Sequence, residues 1–403
     1  MSCVSVRIPD QMTDQGPGAT PPLLKDLNER TVLETLRTDA PISRAEISRR
    51  VGISKPTVSL ALQSLVAAGL VRESEHDPAG PSFGAVFFEP IPDAALVLGL
   101  DLGARFARGA VCDLTGSLRV RQDVELAGPD PDSALAAIAS VTESLIVAAD
   151  PLRERIGRAV VGVPGVVDAE GRLHLTHFRQ FEGANLASDL SDRLGLDVTL
   201  VNDINLAALG EKWQGVARGV DDFLFLSVGT GLGSGLVLGG ELHSGRNGAA
   251  GELDFALVGL GDGFDPSAAA ISAFAEELVQ TRRVESTLTS PYEPRDIFTS
   301  ARQGDALAGE VVAEVARRIA LHIAPVAAVA DVGLVVLGGG IGANGDLLLE
   351  PIRDMLGTWL PYPPRLEVSS LGEAAVLSGA LAVGLRTALD AVFVNRIRTA
   401  RGG

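Results

Sequence analysis

Cysteine is nearly absent from this sequence: Cys3 and Cys112 are the only two in 403 residues. Two thiols build neither a disulfide framework nor a cysteine-rich zinc site. They read as one thiol in a loose tail and one in a strand. Positive charge is also scarce. With 34 Lys and Arg against 51 Asp and Glu, the formal net charge is −17, which excludes a protein that coats nucleic acid or anionic membrane over its whole surface. No run approaches the ~20 uninterrupted apolar residues of a membrane span. Residues 1–22 lack the apolar centre of a signal peptide, so they are expected to form a loose tail on a cytoplasmic, non-membrane protein. What remains is a globular composition, 46% hydrophobic and 21% charged, long enough for two or three domains.

The basic residues are concentrated in one place. Between Ile42 and Arg72 lie Arg44, Arg49, Arg50, Lys55 and Arg72 against Glu46 alone, a local net charge of +4. Three short helical patterns surround that cluster. In the first, Val32, Leu33 and Leu36 repeat at helical spacing until Asp39-Ala40-Pro41 interrupts. The second opens on a capping box: Ser43 accepts from the Glu46 amide while Glu46 reaches back, with Ile42 and Ile47 as a hydrophobic staple. It ends at Val51-Gly52, where glycine permits a sharp turn.

Ser54 caps the third helix, and Pro56 sits in its first turn, where a missing N–H costs little. Val58, Ala61, Leu62 and Leu65 share one face; Pro56, Leu60 and Gln63 point the other way, flanked by Thr57, Ser59 and Ser64. A small, hydroxyl-rich outer face suits a major groove about 12 Å wide. Hydroxyls and N–H groups at the helix start bind phosphate, and Lys55 adds charge. Gly80-Pro81-Ser82-Phe83-Gly84 then offers a turn before Val86-Phe87-Phe88, the pattern of a two-stranded wing. Residues 23–90 are thus predicted to be a winged helix-turn-helix reading double-stranded DNA through Ser43, Arg44, Ser54, Lys55, Pro56, Thr57, Ser59 and Gln63.

From Ala95 the pattern becomes α/β. The apolar run Leu96–Leu100 ends at Asp101-Leu102-Gly103, and a second strand covers Arg108 to Asp113. Strand, acid, glycine turn and strand is how an actin-like nucleotide-binding hairpin begins, although Asp-x-Gly also marks ordinary turns. Ala159–Val163 leads into Pro164-Gly165, and Val198–Val201 into Asn202-Asp203. An Asp between strand and helix is placed for general-base work on a hydroxyl, or for capping that helix. Gly229, Thr230, Gly231, Gly233 and Gly235 follow the strand Phe223–Val228, and alternate glycines leave backbone N–H groups open to phosphate oxygens. Val335–Gly340 is a last strand ending in glycines.

These pieces, in this order, resemble the ROK family, which unites bacterial repressors, open reading frames and sugar kinases. Asp101-Leu102-Gly103 resembles its first phosphate motif, and Gly229-Thr230-Gly231-Leu232-Gly233 its second. Gly162-Val163-Pro164-Gly165 resembles a loop near the sugar, Asn202-Asp203-Ile204-Asn205 the motif holding the kinase's catalytic base, and Gly248–Glu252 the start of the sugar- and zinc-binding segment. The resemblance implies a winged helix-turn-helix joined to an actin-like (ribonuclease H-like) domain of two α/β subdomains, 95–210 and 211–389, with a tail at 390–403.

The departures matter as much. Ala104-Arg105 stands where family kinases carry Gly-Thr, so a bulky cation is expected to face the ATP phosphates. The family's Glu-x-x-His reads Glu252-Leu253-Asp254-Phe255, and Gly261–Pro266 holds no cysteine. Structural zinc is therefore not expected, nor is ATP as a cofactor. The resemblance with these departures implies a repressor of carbohydrate genes, not an enzyme. Asp203 becomes a vestigial kinase base; Asp101, Gly103, Gly229, Thr230, Gly231 and Gly233 become vestigial nucleotide contacts. Gly165, Asn202, Asp203 and Glu252 are expected to contact a sugar-derived effector. Two-fold operators call for a homodimer or tetramer on an inverted repeat. The alternative is an active ATP-dependent sugar kinase with a DNA-binding appendage.

Overall fold

The computed structural model describes residues 21–75, 85–128, 130–150, 152–168, 170–176, 181–256, 262–282 and 285–401. The chain divides into two units, one running to Ala94 and taking in the chain from Asp390 onward, the other Ala95–Leu389. The first holds α1 (Pro21–Asp39), β1 (Ile42–Ser43), α2 (Arg44–Val51), α3 (Lys55–Ala67), β2 (Val71–Glu73) and β3 (Phe87–Pro90). Its strands form one antiparallel sheet in the order β1-β3-β2. α1 begins at Pro21, two residues inside the expected tail; residues 1–20 and the expected wing turn at Gly80–Gly84 lie outside the described residues.

Local chemistry sets these boundaries. Ser43 accepts from the Glu46 amide at 3.3 Å, and Gly52 ends α2 in the left-handed region at φ 69. The capping box is only half made: the Glu46 carboxylate is held by Arg49 and Arg50, a stronger charge-assisted partnership than a backbone amide offers. Ser54 accepts from the Thr57 amide at 3.4 Å to start α3, a cap worth about 1 kcal/mol. Val58, Ala61, Leu62 and Leu65 are buried together with Ile42 and Ile47, each large side chain contributing roughly 1.5–3 kcal/mol.

The second unit builds one strand plan twice. β4 (Leu96–Leu102), β5 (Phe106–Asp113) and β6 (Leu118–Glu125) are antiparallel; α4 (Pro131–Ala148) leads to β7 (Ile156–Val163), which joins β4 in parallel. The small hairpin β8 (Val166–Val167) and β9 (Leu173–His174) precedes α5 (Leu186–Leu194) and β10 (Asp197–Asn202). The order is β10-β7-β4-β5-β6. After α6 (Asp203–Gln214) the plan returns. β11 (Phe223–Val228), β12 (Leu232–Leu238) and β13 (Glu241–Leu242) are antiparallel. Then come α7 (Ala268–Thr281), α8 (Pro294–Arg302), α9 (Ala306–Ala330), β14 (Leu334–Gly338), the single turn α10 (Gly339–Gly342), α11 (Gly345–Trp359) and β15 (Arg365–Val368), in the sheet order β13-β12-β11-β14-β15.

α12 (Ala375–Arg401) closes the chain. Residues 390–401, expected as a tail, continue the helix, since no Gly or Pro interrupts the sequence between Leu385 and Arg401, while the division into units falls at the expected 389/390 boundary. The expected boundary at residue 210 likewise falls inside α6. α4 and residues 372–389 are apolar and long enough to cross a membrane by composition, but α4 turns Ala134, Ile138, Val141 and Leu145 into the core of the first sheet. Ile319, Ile323, Leu348 and Ile352 cover the second sheet.

α6 ties the sheets together without side-chain padding. A Cβ at Gly233 would come within 2.8 Å of Ile204, and one at Gly235 within 2.8 Å of Ala208. On another side α6 meets α12 backbone to backbone. A Cβ at Gly379 would stand 1.8 Å from the Leu206 carbonyl oxygen, and one at Gly210 stands 2.2 Å from that of Ala375. The α6 carboxylate Glu211 is fully buried and accepts from the amides of Val216 at 2.9 Å and Leu371 at 3.2 Å.

Candidate DNA-reading face and ligand cleft

The outward side of α3 carries Lys55, Pro56, Leu60 and Gln63 in exposed positions, with Thr57 and Ser59 partly covered. Ser54 and Thr57 share a hydroxyl contact of 2.8 Å at the helix start. Arg44, from the start of α2, donates to Ser59 Oγ at 3.0 Å, which joins the two helices across the turn. Ser43, Arg44, Lys55, Ser59 and Gln63 line a groove of about 620 Å³ with Leu62, Val66, Val86 and Phe88. Every residue expected to touch DNA therefore sits at the caps or first turns of α2 and α3 or on the outer face of α3.

Pairing sharpens the charge argument. Arg49 and Arg50 face Glu46, Arg50 also meets Asp39, and Arg72 lies 2.8 Å from Glu89. Arg44 and Lys55 form no ion pair among the described residues. The +4 cluster thus presents two cations that no carboxylate among the described residues claims.

In the second unit a cleft of about 900 Å³ is lined by Gly165, Asn202, Asp203 and Glu252, all four expected ligand contacts. Gly229, Thr230, Gly231 and Gly233 line it too, as do Asp254, Arg295 and Leu175, which the sequence did not single out. Asn202 caps α6 by accepting from the Asn205 amide at 2.8 Å, and its Nδ2 donates to the Gly165 carbonyl at 2.9 Å. Its first task is to fix the loop against the helix. Asp203 opens α6 and accepts from the Ile204 amide at 2.9 Å. Burial, with the nearby charge of Asp101, pushes its pKa up to about 7, so near neutrality it both donates and accepts hydrogen bonds.

Glu252 reaches the cleft because Gly251, at φ 95, lies flush on β12, where a Cβ would meet the Ser234 carbonyl at 2.5 Å. Ser234 Oγ donates to the Gly251 carbonyl at 2.6 Å. The Glu252 carboxylate makes no hydrogen bond among the described residues, and burial then Asp254 raise its pKa.

Several expectations change here. Asp101 and Gly103 do not line the cleft. Arg105 does not face it either: its side chain is 77% exposed and lies 3.5 Å from Glu125. Arg108 takes the position beside Asp101 instead. The β4–β5 register sets the two directly opposite, and Arg108 lies 3.4 Å from Asp101 and 3.1 Å from Glu373. Burial still pushes the Asp101 pKa up to about 6 against the pull of Arg108. The glycine series also divides. Gly229 and Gly231 open to the cleft, Gly235 lies under α6 away from it, and Gly233 does both, lining the cleft while Ile204 of α6 rests on it. Phe255 is 57% exposed. Further along the chain, Arg318 donates to the Asp265 carbonyl at 2.7 Å, while the Asp265 carboxylate accepts from the Ser267 amide at 2.8 Å.

His174 adds a titratable clamp beside Gly165. Its ring nitrogens lie 3.0 Å from Asp168 and 3.4 Å from Glu182, and Arg172 shares Asp168 at 2.9 Å while also holding Glu170. The hydrogen bond to Asp168, aided by Glu182, raises the His174 pKa. A raised pKa means the clamp is complete below the ordinary histidine value of about 6.5 and lost as pH climbs through the raised one. Amide exchange at Leu175, corrected for intrinsic rate, is expected to accelerate across that window. A flat profile would remove His174 as the cause.

A winged helix-turn-helix followed by paired five-stranded layers around a cleft defines a DNA-binding transcriptional regulator. Residues 25–72 match the winged helix-turn-helix DNA-binding pattern and residues 97–386 match the ROK family. The chain belongs to the ROK family. It is 26% identical over 382 residues to the xylose repressor of Caldicellulosiruptor bescii, covering 90% of this chain and 96% of that one. The fold of a ROK family transcriptional regulator homologous to the Escherichia coli Mlc protein superposes with a TM-score of 0.76 at 22% identity, covering 93% and 99% of the two chains. A ROK family glucokinase from Streptomyces griseus, solved with glucose and AMPPNP, gives 0.62 at 26% identity over 72% of this chain and 100% of that one.

Proposed function

We propose that the protein is a cytoplasmic repressor of carbohydrate genes that binds an inverted-repeat operator as a homodimer and answers to a sugar or sugar derivative. One observation carries the reading: Asp203 and Glu252 converge in the cleft with Gly165 and Asn202, while the carboxylate that would serve a metal nucleotide, Asp101, is held by Arg108. The ligand changes operator affinity only insofar as it prefers one state of the protein, and the coupling is reciprocal. Titrating operator duplex with and without monosaccharides, at fixed salt, tests it. No preference for any operator over random duplex would sink the proposal.

Zinc has no role in this reading, which the exposed Phe255 and the Arg318–Asp265 fastening support. A second reading, phosphoryl transfer to a sugar, draws on Gly229, Thr230 and Gly231 opening to the cleft and on the raised pKa of Asp203. ATP turnover over a hexose panel, lost on Asp203→Asn, would install it in place of the first.

On the DNA side, Lys55→Ala and Arg44→Ala are each expected to weaken all duplexes alike and lower the salt slope by about one. Gln63→Ala should cost roughly 1–3 kcal/mol at one operator position and relax specificity there. Fluorescence anisotropy over operator variants at several salt concentrations separates the two effects.

A further inference from the structure

The residue that follows β9 is held in a backbone conformation that its side chain disfavours. Leu175 has φ 51, in the left-handed region that glycine and asparagine enter readily and branched apolar residues do not. Its side chain is 57% exposed, yet it stands on the wall of the cleft with Gly165, Asn202, Asp203 and Glu252. Such a conformation persists only where neighbours impose it, and it points to function when it lies at a site.

The neighbours are identifiable. The Leu175 amide donates to Glu182 Oε1 at 3.3 Å. His174, one residue earlier, is gripped through both ring nitrogens by Asp168 and Glu182. The His174 carbonyl lies so close to Gly165 that a Cβ there would come within 2.6 Å, and Asn202 holds the Gly165 carbonyl from the start of α6. A continuous line of contacts therefore runs from the polar end of α6 to an apolar side chain in the same cleft. A sugar ring has the matching surfaces: hydroxyls around its edge for Asp203 and Glu252, and a face of C–H groups.

We infer that Leu175 is a specificity-determining residue that packs against the carbon face of the bound sugar. The inference rests on the sugar-responsive reading above. Covering about half of a leucine side chain corresponds to roughly tenfold in affinity.

Calorimetric titration of the full chain with D-xylose and D-glucose, which differ by one exocyclic hydroxymethyl, provides the test. For whichever sugar binds, Leu175→Asn should weaken binding about tenfold and change the xylose-to-glucose affinity ratio. It should leave the Tm of the unliganded protein unchanged or higher, since asparagine accepts the backbone. Leu175→Gly should reproduce the loss, and Leu175→Met should restore most of it. Sugar binding with unaltered affinity and ratio in Leu175→Asn and Leu175→Gly overturns the inference alone. If no monosaccharide of a wider panel binds the unaltered protein, the sugar reading fails and takes this inference with it.

Discussion

Gly379→Ala will destabilise the protein by about 3 kcal/mol, although helix propensity alone assigns that change a gain of roughly 0.5–1 kcal/mol. The reversal comes from the α6–α12 crossing, where a Cβ at Gly379 would stand 1.8 Å from a main-chain carbonyl oxygen. A flexible side chain could swing away from such an intruder; a peptide group inside a helix cannot. The helices must separate, and the contacts of α6 with β12 loosen with them. Gly309→Ala, in α9, supplies the control. Nothing lies within 4 Å of its Cβ position, so this variant should gain the 0.5–1 kcal/mol that propensity offers. Urea unfolding of both variants measures the two shifts. Movement in the same direction would refute the close seat of α6 on α12.

Asp203→Asn should abolish most of the sugar response and yet make the protein more stable at alkaline pH. Removing one charged hydrogen-bonding group from a ligand site costs about 1.5–3 kcal/mol, or roughly 10- to 100-fold in affinity. The stability effect has the opposite sign. Between the ordinary aspartate pKa of about 4 and the raised value of about 7, the folded protein keeps a proton that the unfolded chain has released. Stability therefore falls as pH rises through that window and levels off above it. Asparagine never ionises, so the variant escapes the loss. Its Tm should match the parent at pH 4 and exceed it by several degrees at pH 8. A Tm difference independent of pH would show that the Asp203 ionisation is not what strains the cleft.

Features fixed by near neighbours in the chain were legible before any coordinates. Ser43 and Ser54 cap the helices they were expected to cap, Gly52 turns where it was expected to turn, and the inner face of α3 is the one that periodicity marks. Gly165, Asn202, Asp203 and Glu252 do meet in one cleft. The misjudged positions depend on partners distant in sequence. Gly235 looks like a phosphate-loop glycine until α6 is laid on it, and nothing local announces Ala208 as its neighbour. Arg105 replaces a small residue, but it lies in the exposed turn between β4 and β5 beside Glu125, and cross-strand pairing gives Asp101 to Arg108. That pairing was available to a reader who folded the hairpin on its turn. Asp254 and Leu175 carry no signal of periodicity or spacing, so only the assembled cleft reveals them.

The pairing of arginines in the DNA-reading module has a bearing on how the protein finds its target. Each phosphate neutralised by a cation adds about 0.9 to the salt slope of binding, and this sequence-independent attraction is what holds a regulator to irrelevant DNA. Here Arg49, Arg50 and Arg72 are engaged by Glu46, Asp39 and Glu89, leaving Arg44 and Lys55 of the cluster without an ion pair among the described residues, on a chain of net charge −17. Visits to random genomic DNA should be short and the freely diffusing pool large. Occupancy of the operator then depends on base contacts from α3 more than on accumulated charge, so a modest ligand-induced change in those contacts can empty the site quickly.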